Sequence, residues 1–295
     1  MAEQNSSIPH KKPSLPSKNE GLLSYFSTLY SVCQEKNITL ELLSNNWVVR
    51  LEKNGQIRYI VGYKFDLNPY AAGKIADDKV ATYAVLSRAN IPAAEHAIIY
   101  EFHNQEAYAV GHNSLEYAKY YLDSHNSHIV VKPTYGTGGA KNYQVKNPRQ
   151  LATALSEIFY SHPTACLSPF YKILHEYRVI LLDGAEQLSY MKTLPDQRAW
   201  KFNLQQGAIA ESIPAHLRES IVALAKRAVR EIGLRFCSID IIETADHELL
   251  ILEINSGVMT NTYVQQHPEE YDKVKNIYRD AVKQMFKWVR SHQVY

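Results

Sequence analysis

The chain has 295 residues, enough for one large domain or two or three small ones, and enough to bury a sizeable core without disulfide staples. Hydrophobic residues make up 45% and charged residues 21%, the ordinary balance of a globular protein, and a formal net charge of +2 excludes the strongly basic domain of a dedicated nucleic-acid binder. No apolar run approaches the ~20 residues that a membrane span needs, so no membrane partner is expected.

Met1 to Lys18 is polar and contains Pro9, Pro13 and Pro16, with no apolar stretch of the kind a secretory signal requires. Residues 1–19 are expected to form a disordered tail and the protein to be cytoplasmic. Cys33, Cys166 and Cys237 are far apart and form no CxxC pair, which suits three buried thiols in a reducing compartment. From Gly21 to Cys33 the apolar spacing (Leu22, Leu23, Tyr25, Phe26, Leu29, Val32) predicts a helix. Ile38–Leu43, Trp47–Leu51 and Ile57–Val61 read as strands, with a hairpin turn at Lys53-Asn54-Gly55-Gln56. Asp77 or Asp78 caps a helix that ends at Asn90-Ile91-Pro92.

A strand over Glu95–Tyr100 and a helix over Ser114–Ser124 follow, the latter with Leu115, Ala118, Tyr121 and Leu122 on one face. Ile129–Val131 is a buried strand that runs into a glycine loop, and Pro148–Tyr160 is a helix. Leu174–Leu182 and Gln187–Lys192 pair around Asp183-Gly184. A long helix over Pro214–Ile232 stops at Gly233, Phe236–Glu243 and Leu249–Asn255 form a second hairpin, and Pro268–Arg290 is the last helix. No steady βαβ rhythm appears, so the fold class is α+β. The expected organisation is the tail at 1–19, a short N-terminal unit at 20–77, a lobe with the glycine loop at 78–170, and a lobe with the C-terminal helix at 171–295.

Two segments carry the chemistry. Val131-Lys132-Pro133-Thr134-Tyr135 leads into Gly136, Gly138 and Gly139, a loop whose backbone N–H groups can wrap phosphate oxygens without Cβ clashes, with Lys132 as a point charge. It matches neither a Walker loop nor a Rossmann fingerprint. The second is the apolar hairpin that contains Asp240 and Glu253. Buried carboxylates need partners. If the turn is centred on Asp246-His247, Asp240 lies opposite Glu253 with Cβ atoms about 5 Å apart. Two such groups repel, a cation is their natural partner, and Asn255 shares the face of Glu253. This oxygen set suits magnesium. Glu176, Arg178, Lys192, Lys201 and Asn203 are further polar residues in or beside apolar strands. Arg178 and the two lysines suit the charge of a transferred phosphoryl group. No HExxH pair occurs among the 12 histidines, and Tyr117, Tyr120 and Tyr121 on one helix suit packing or a partner surface.

In this order, Asp78-Lys79, Val131-Lys132-Pro133 with its glycines, Glu176-Tyr177-Arg178, Lys192, Lys201-Phe202-Asn203, Asp240 and Glu253-Ile254-Asn255 resemble the ATP-grasp superfamily over about residues 74–260. The nearest branches are RimK-type glutamate ligases, glutathione synthetase and cyanophycin synthetase. The resemblance implies two α+β lobes gripping ATP and an ADP-forming carboxylate–amine ligase that works through an acyl phosphate on an amino acid or peptide. It implies that Lys79 and Lys132 hold phosphates and that Gly136, Gly138 and Gly139 form a flap. The segment Leu167 to Tyr171, with Ser168 and Phe170, would lie against adenine. Glu176 would bind the ribose, with Lys201 among the nucleotide contacts. Arg178, Lys192 and Asn203 would face the γ-phosphate, and Asp240, Glu253 and Asn255 would carry two magnesium ions, for which manganese can substitute. The partners it implies are small-molecule or peptide carboxylates and amines, with a homo-oligomer as the assembly. Three departures are Ser168-Pro169 at the hinge, the short unit ahead of Asp78, and the ending Asn255 to Thr260, and the last two bear on the acceptor substrate. A non-catalytic, synapsin-like ATP-binding role is the alternative.

Overall fold

The structure, a computed structural model, describes residues 21–104, 106, 109–135, 141–196 and 199–287. The expected tail at 1–19 and the last helix beyond Lys287 lie outside these residues. Two compact units form: one takes the chain to Asp66 and again from Met259, and the other runs from Leu67 to Val258. The ladders of all three sheets are antiparallel, as an α+β fold requires.

The first unit opens with α1 (Gly21–Glu35) and a four-stranded meander of β1 (Thr39–Leu43), β2 (Val48–Lys53), β3 (Gln56–Val61) and β4 (Lys64–Phe65). Asn54 and Gly55 take φ of 50° and 75°, the pair of left-handed residues that a two-residue hairpin turn needs.

The second unit begins with α2 (Tyr70–Asp77) and α3 (Lys79–Arg88), followed by β5 (Ala97–Tyr100), α4 (Leu115–Ser124), β6 (Ile129–Pro133), β7 (Tyr143–Val145), α5 (Pro148–Phe159) and β8 (Thr164–Pro169). It continues with β9 (Ile173–Leu182), β10 (Ala185–Thr193), β11 (Ile209–Glu211), α6 (Ala215–Ile232), β12 (Phe236–Thr244) and β13 (Leu249–Asn255). Two sheets result, β5-β8-β6-β7 and β11-β10-β9-β12-β13. The chain then returns to the first unit as α7 (Asn261–Gln266) and α8 (Tyr271–Lys287), where Val274, Ile277, Tyr278, Ala281, Val282 and Met285 are buried and the Tyr278 ring meets Tyr25 of α1 edge-on at 5.4 Å.

Side-chain caps set the helix starts. Asp78 accepts from Val80 N and Ala81 N, Ser114 from Tyr117 N, and Asn147 from Gln150 N with Pro148 next in line. α6 ends at Gly233, whose φ of 84° is left-handed. In the five-stranded sheet one set of alternating residues (Tyr177, Val179, Leu181, Ile239, Ile241, Ile251 and Ile254) packs against α2, α3 and α6. That leaves the other face of the sheet for polar side chains. The small sheet buries Ile99, Ile129, Val131, Ala165 and Leu167 against α4 and α5.

Sequence patterning misses α2, β4, β7, β8, β11 and α7. α2 contains Gly73 and is held instead by Ala72 and Ala76 in the core. β8 is buried along Ala165 to Ser168, so it shows no polar–apolar alternation although it is central to its sheet. Asn68, also unanticipated, stitches the unit: its Nδ2 donates to Phe236 O (2.7 Å) and Ser256 O (3.2 Å), and its Oδ1 accepts from Arg235 N and Phe236 N.

Ile239 is fully buried at the centre of this core. Ile239→Ala is expected to lower unfolding free energy by about 2–5 kcal/mol, read from the urea denaturation midpoint.

Candidate functional site

The polar face of the five-stranded sheet is built in rows. β9 projects Glu176 and Arg178, two residues apart and so on one side. β10 brings Lys192 opposite Glu176 and Tyr190 opposite Arg178, while β12 brings Asp240 opposite Arg178 from the other side. Tyr190 was not anticipated; it is buried and lies near enough to Arg178 and Lys192 to act on both charges.

The expected Asp240–Glu253 pair is present, but the chain reaches it by a different route. The hairpin does not close on a two-residue turn: Thr244 N bonds Glu248 O across three residues, with His247 at φ 62°. From there the ladder pairs Glu243 with Leu249 and Ile241 with Ile251, then slips by one at Leu252, so that Asp240 meets Glu253 and Ser238 meets Asn255. This bulge decides the site. Without it, period-two alternation from buried Ile251 would turn Glu253 and Asn255 into the apolar core. With it, Ile254 takes the core position and Glu253 comes out onto the polar face.

The charges are matched in pairs. Asp240, 2% exposed, accepts from Arg178 Nε (2.8 Å), Arg178 Nη2 (2.6 Å) and Lys192 Nζ (2.8 Å). Burial pushes its carboxyl up, but Arg178 and Lys192 more than offset this and hold it below its ordinary value. Lys192 also donates to Glu176. Burial raises the Glu176 carboxyl to about 7 against the pull of Lys192. Glu253 lies 3.3 Å from Lys79 Nζ and accepts from Asn255 Nδ2 at 3.2 Å. It too is pushed up by burial and brought below its usual range by Lys79 and Lys132.

Lys132, at the end of β6, is buried, and burial pushes its amine down, with Lys79 acting in the same sense. Among the described residues it forms no ion pair, unlike Lys79 and Lys192. Four cations (Lys79, Lys132, Arg178, Lys192) thus cluster with three carboxylates (Glu176, Asp240, Glu253), and among the described residues Lys132 is the cation of this set with no carboxylate bonded to it. His96 lies beside Lys132 and Lys79. Its Nδ1–H donates to Ala94 O (3.0 Å), and burial and then the two ammonium charges keep it neutral. No local pattern in the amino-acid order marks this histidine.

The remaining expected residues are more scattered. Ser168 is buried on β8, its hydroxyl near Pro169 O at 3.4 Å. Phe170 stacks on His128 (4.0 Å between centroids, 10° between planes) and lies 6.3 Å from Trp200. Lys201 Nζ sits 5.3 Å from the centroid of Trp200, and Asn203 caps the short turn Leu204–Gln206 by accepting from Gln205 N. Gly136, Gly138 and Gly139 lie outside the described residues. The three cysteines are buried and free.

A family model described as a RimK-like ATP-grasp domain matches residues 76–273. The chain belongs to this family. Among curated proteins, the tetrahydromethanopterin:alpha-L-glutamate ligase of Methanocaldococcus jannaschii is 26% identical over 206 residues, covering 68% of this chain and 65% of that enzyme. The match thus spans about two thirds of the relative's length. Among solved structures, the D-alanine–D-alanine ligase of Bacillus anthracis superposes with a TM-score of 0.56 at 15% identity, over 77% of this chain and 74% of that one. The bifunctional glutathione synthetase of Pasteurella multocida gives 0.55 at 16% identity, over 90% and 44%. At these identities the structural likeness establishes the ATP-grasp fold.

The fold family implies magnesium, and the donors here fit it. Asp240, Glu253 and Asn255 supply hard oxygens on one face. Among the described residues no group of three or more His, Cys, Asp or Glu forms a self-sufficient metal cage.

Lys192 bonds both Glu176 and Asp240. Lys192→Met is expected to cost about 3–5 kcal/mol in urea denaturation, because it strands buried charge. Adding Glu176→Gln to that variant should recover part of the loss.

Proposed function

We propose that the protein is an ATP-dependent, ADP-forming ligase that joins a carboxylate to an amine, with an amino acid or peptide among its substrates. The observation that carries this reading is the cluster itself: a face of four cations and three carboxylates, two of the latter held opposite one another by a bulge, in a chain of the RimK-like ATP-grasp family.

In this reading Lys79 and Lys132 bind the nucleotide phosphates, Ser168 and Phe170 line the adenine, and Glu176 meets the ribose. Asp240, Glu253 and Asn255 would hold the two magnesium ions, whose contribution when bound is to neutralise phosphate charge. An oxygen of the substrate carboxylate attacks the γ-phosphorus, the bond to the bridging oxygen breaks, and ADP leaves with the electron pair. The amine nitrogen then attacks the acyl carbon, phosphate departs, and the ammonium proton is lost to water. Neither step needs a protein nucleophile, so the work of the side chains is positioning and charge neutralisation. Arg178, Lys192, Lys201 and Asn203 face the transferred group. Arg178 and Lys192, which bond Asp240 in the ligand-free protein, would be the cations available to phosphate where Asp240 holds metal. His96, kept neutral, adds no further charge to the lysine pair.

Glutamate is the first amine to assay, because the curated relative is named as an alpha-L-glutamate ligase. ADP release is expected when ATP, magnesium, glutamate and a panel of carboxylic acids and peptides are supplied. Glu253→Gln should reduce it by about 100-fold or more while circular dichroism stays unchanged. Nucleotide binding without ADP release for any acid–amine pair would leave a binding protein and remove the ligase.

A further inference from the structure

Tyr135 stands immediately ahead of the glycine loop, three residues past Lys132, and is half exposed. Its hydroxyl donates to Asp78 Oδ2 at 2.8 Å. Asp78 is already engaged: its Oδ1 accepts from Val80 N (2.9 Å) and Ala81 N (3.1 Å), capping α3. The carboxylate is thus fixed at both oxygens, one serving its own helix and the other reaching across to the chain that leaves β6. Helix capping needs only the first.

That second contact spans a place where the structure would otherwise tend to spread. Lys79 is the first residue of α3 and Lys132 the penultimate residue of β6. Their ammonium groups act on each other unfavourably, and the carboxylate of Glu253 pairs directly with Lys79 alone. Two like charges held together in a partly desolvated site repel. The Tyr135–Asp78 bond joins the same two segments, one residue from Lys79 and three from Lys132. A hydrogen bond to a carboxylate is among the stronger kinds. Burial and then Asp78 push the tyrosine hydroxyl up to about 12, so it stays a donor throughout the physiological range. With half its surface in water, the ring is not held there by burial alone.

We propose that Tyr135 is a positioning residue, clasping the end of β6 to the start of α3 through Asp78 so that Lys132 and Lys79 converge on one anion. This rests on the nucleotide reading above. Tyr135→Phe keeps the ring and deletes only the donor. Asp78→Asn keeps an oxygen for the helix cap and removes the carboxylate charge.

The test is titration calorimetry of the full chain with magnesium and a non-hydrolysable ATP analogue, combined with a double-substitution cycle. Tyr135→Phe is expected to weaken analogue binding by about 5- to 10-fold, the size of one hydrogen bond, with a small fall in the unfolding midpoint of the ligand-free protein and an unchanged circular dichroism spectrum. In the Asp78→Asn background the same substitution should change affinity by less than about 2-fold, because its partner is already altered. Unchanged affinity in Tyr135→Phe, an equal loss in both backgrounds, or a loss accompanied by an altered circular dichroism spectrum overturns the clasp. If the unsubstituted protein binds no analogue, the nucleotide reading fails and takes the clasp with it. If it binds normally and Tyr135→Phe binds equally well, only the clasp fails.

Discussion

Asp240 sits at the middle of β12, out of water, and its charge is tolerable only because Arg178 and Lys192 close on it from neighbouring strands. Leaving such a group unpaired costs several kcal/mol. That requirement fixes what the adjacent strands can carry. β9 must present Arg178 at the register of Asp240, and β10 must present Lys192 within reach. Lys192 in turn needs Glu176. The cluster is therefore a set of mutual conditions, and it can form only if three strands pair in one register.

Much of this could be read in the amino-acid order. Acidic residues within otherwise apolar runs, Asp240 between Ile239 and Ile241 and Glu253 between Leu252 and Ile254, signal that something must pair with them. Turn chemistry marked the hairpins at Asn54-Gly55 and Asp183-Gly184, where positive φ is needed at both residues. A capping aspartate marked α3, and one apolar face marked α4. These signals are local: each is decided by residues within a few positions of one another.

What was illegible depends on contacts distant in the chain. β8 has no alternation because both of its neighbours and the helices bury it, and α2 is kept helical by the core it covers in spite of Gly73. His96 looks like any strand-end histidine until Lys79 and Lys132 arrive beside it from separate elements. Tyr190 and Tyr135 read as ordinary aromatics; only strand register and a hydrogen bond across 57 positions give them meaning. Spacing alone also gave the carboxylate pair for an incomplete reason, since it assumed a perfect ladder and a shorter turn.

The extra residue in β13 separates two things that are usually bound together in a hairpin. Twelve residues, 241 to 252, lie between the paired acids. Here they are divided into a three-residue tip and one bulged position. The same count would also close with a two-residue tip and an unbroken ladder, but only by turning Ile251 out of the core onto the polar face. The bulge must therefore stay between Ile251 and Glu253, where it keeps the one inside and the other beside Asp240.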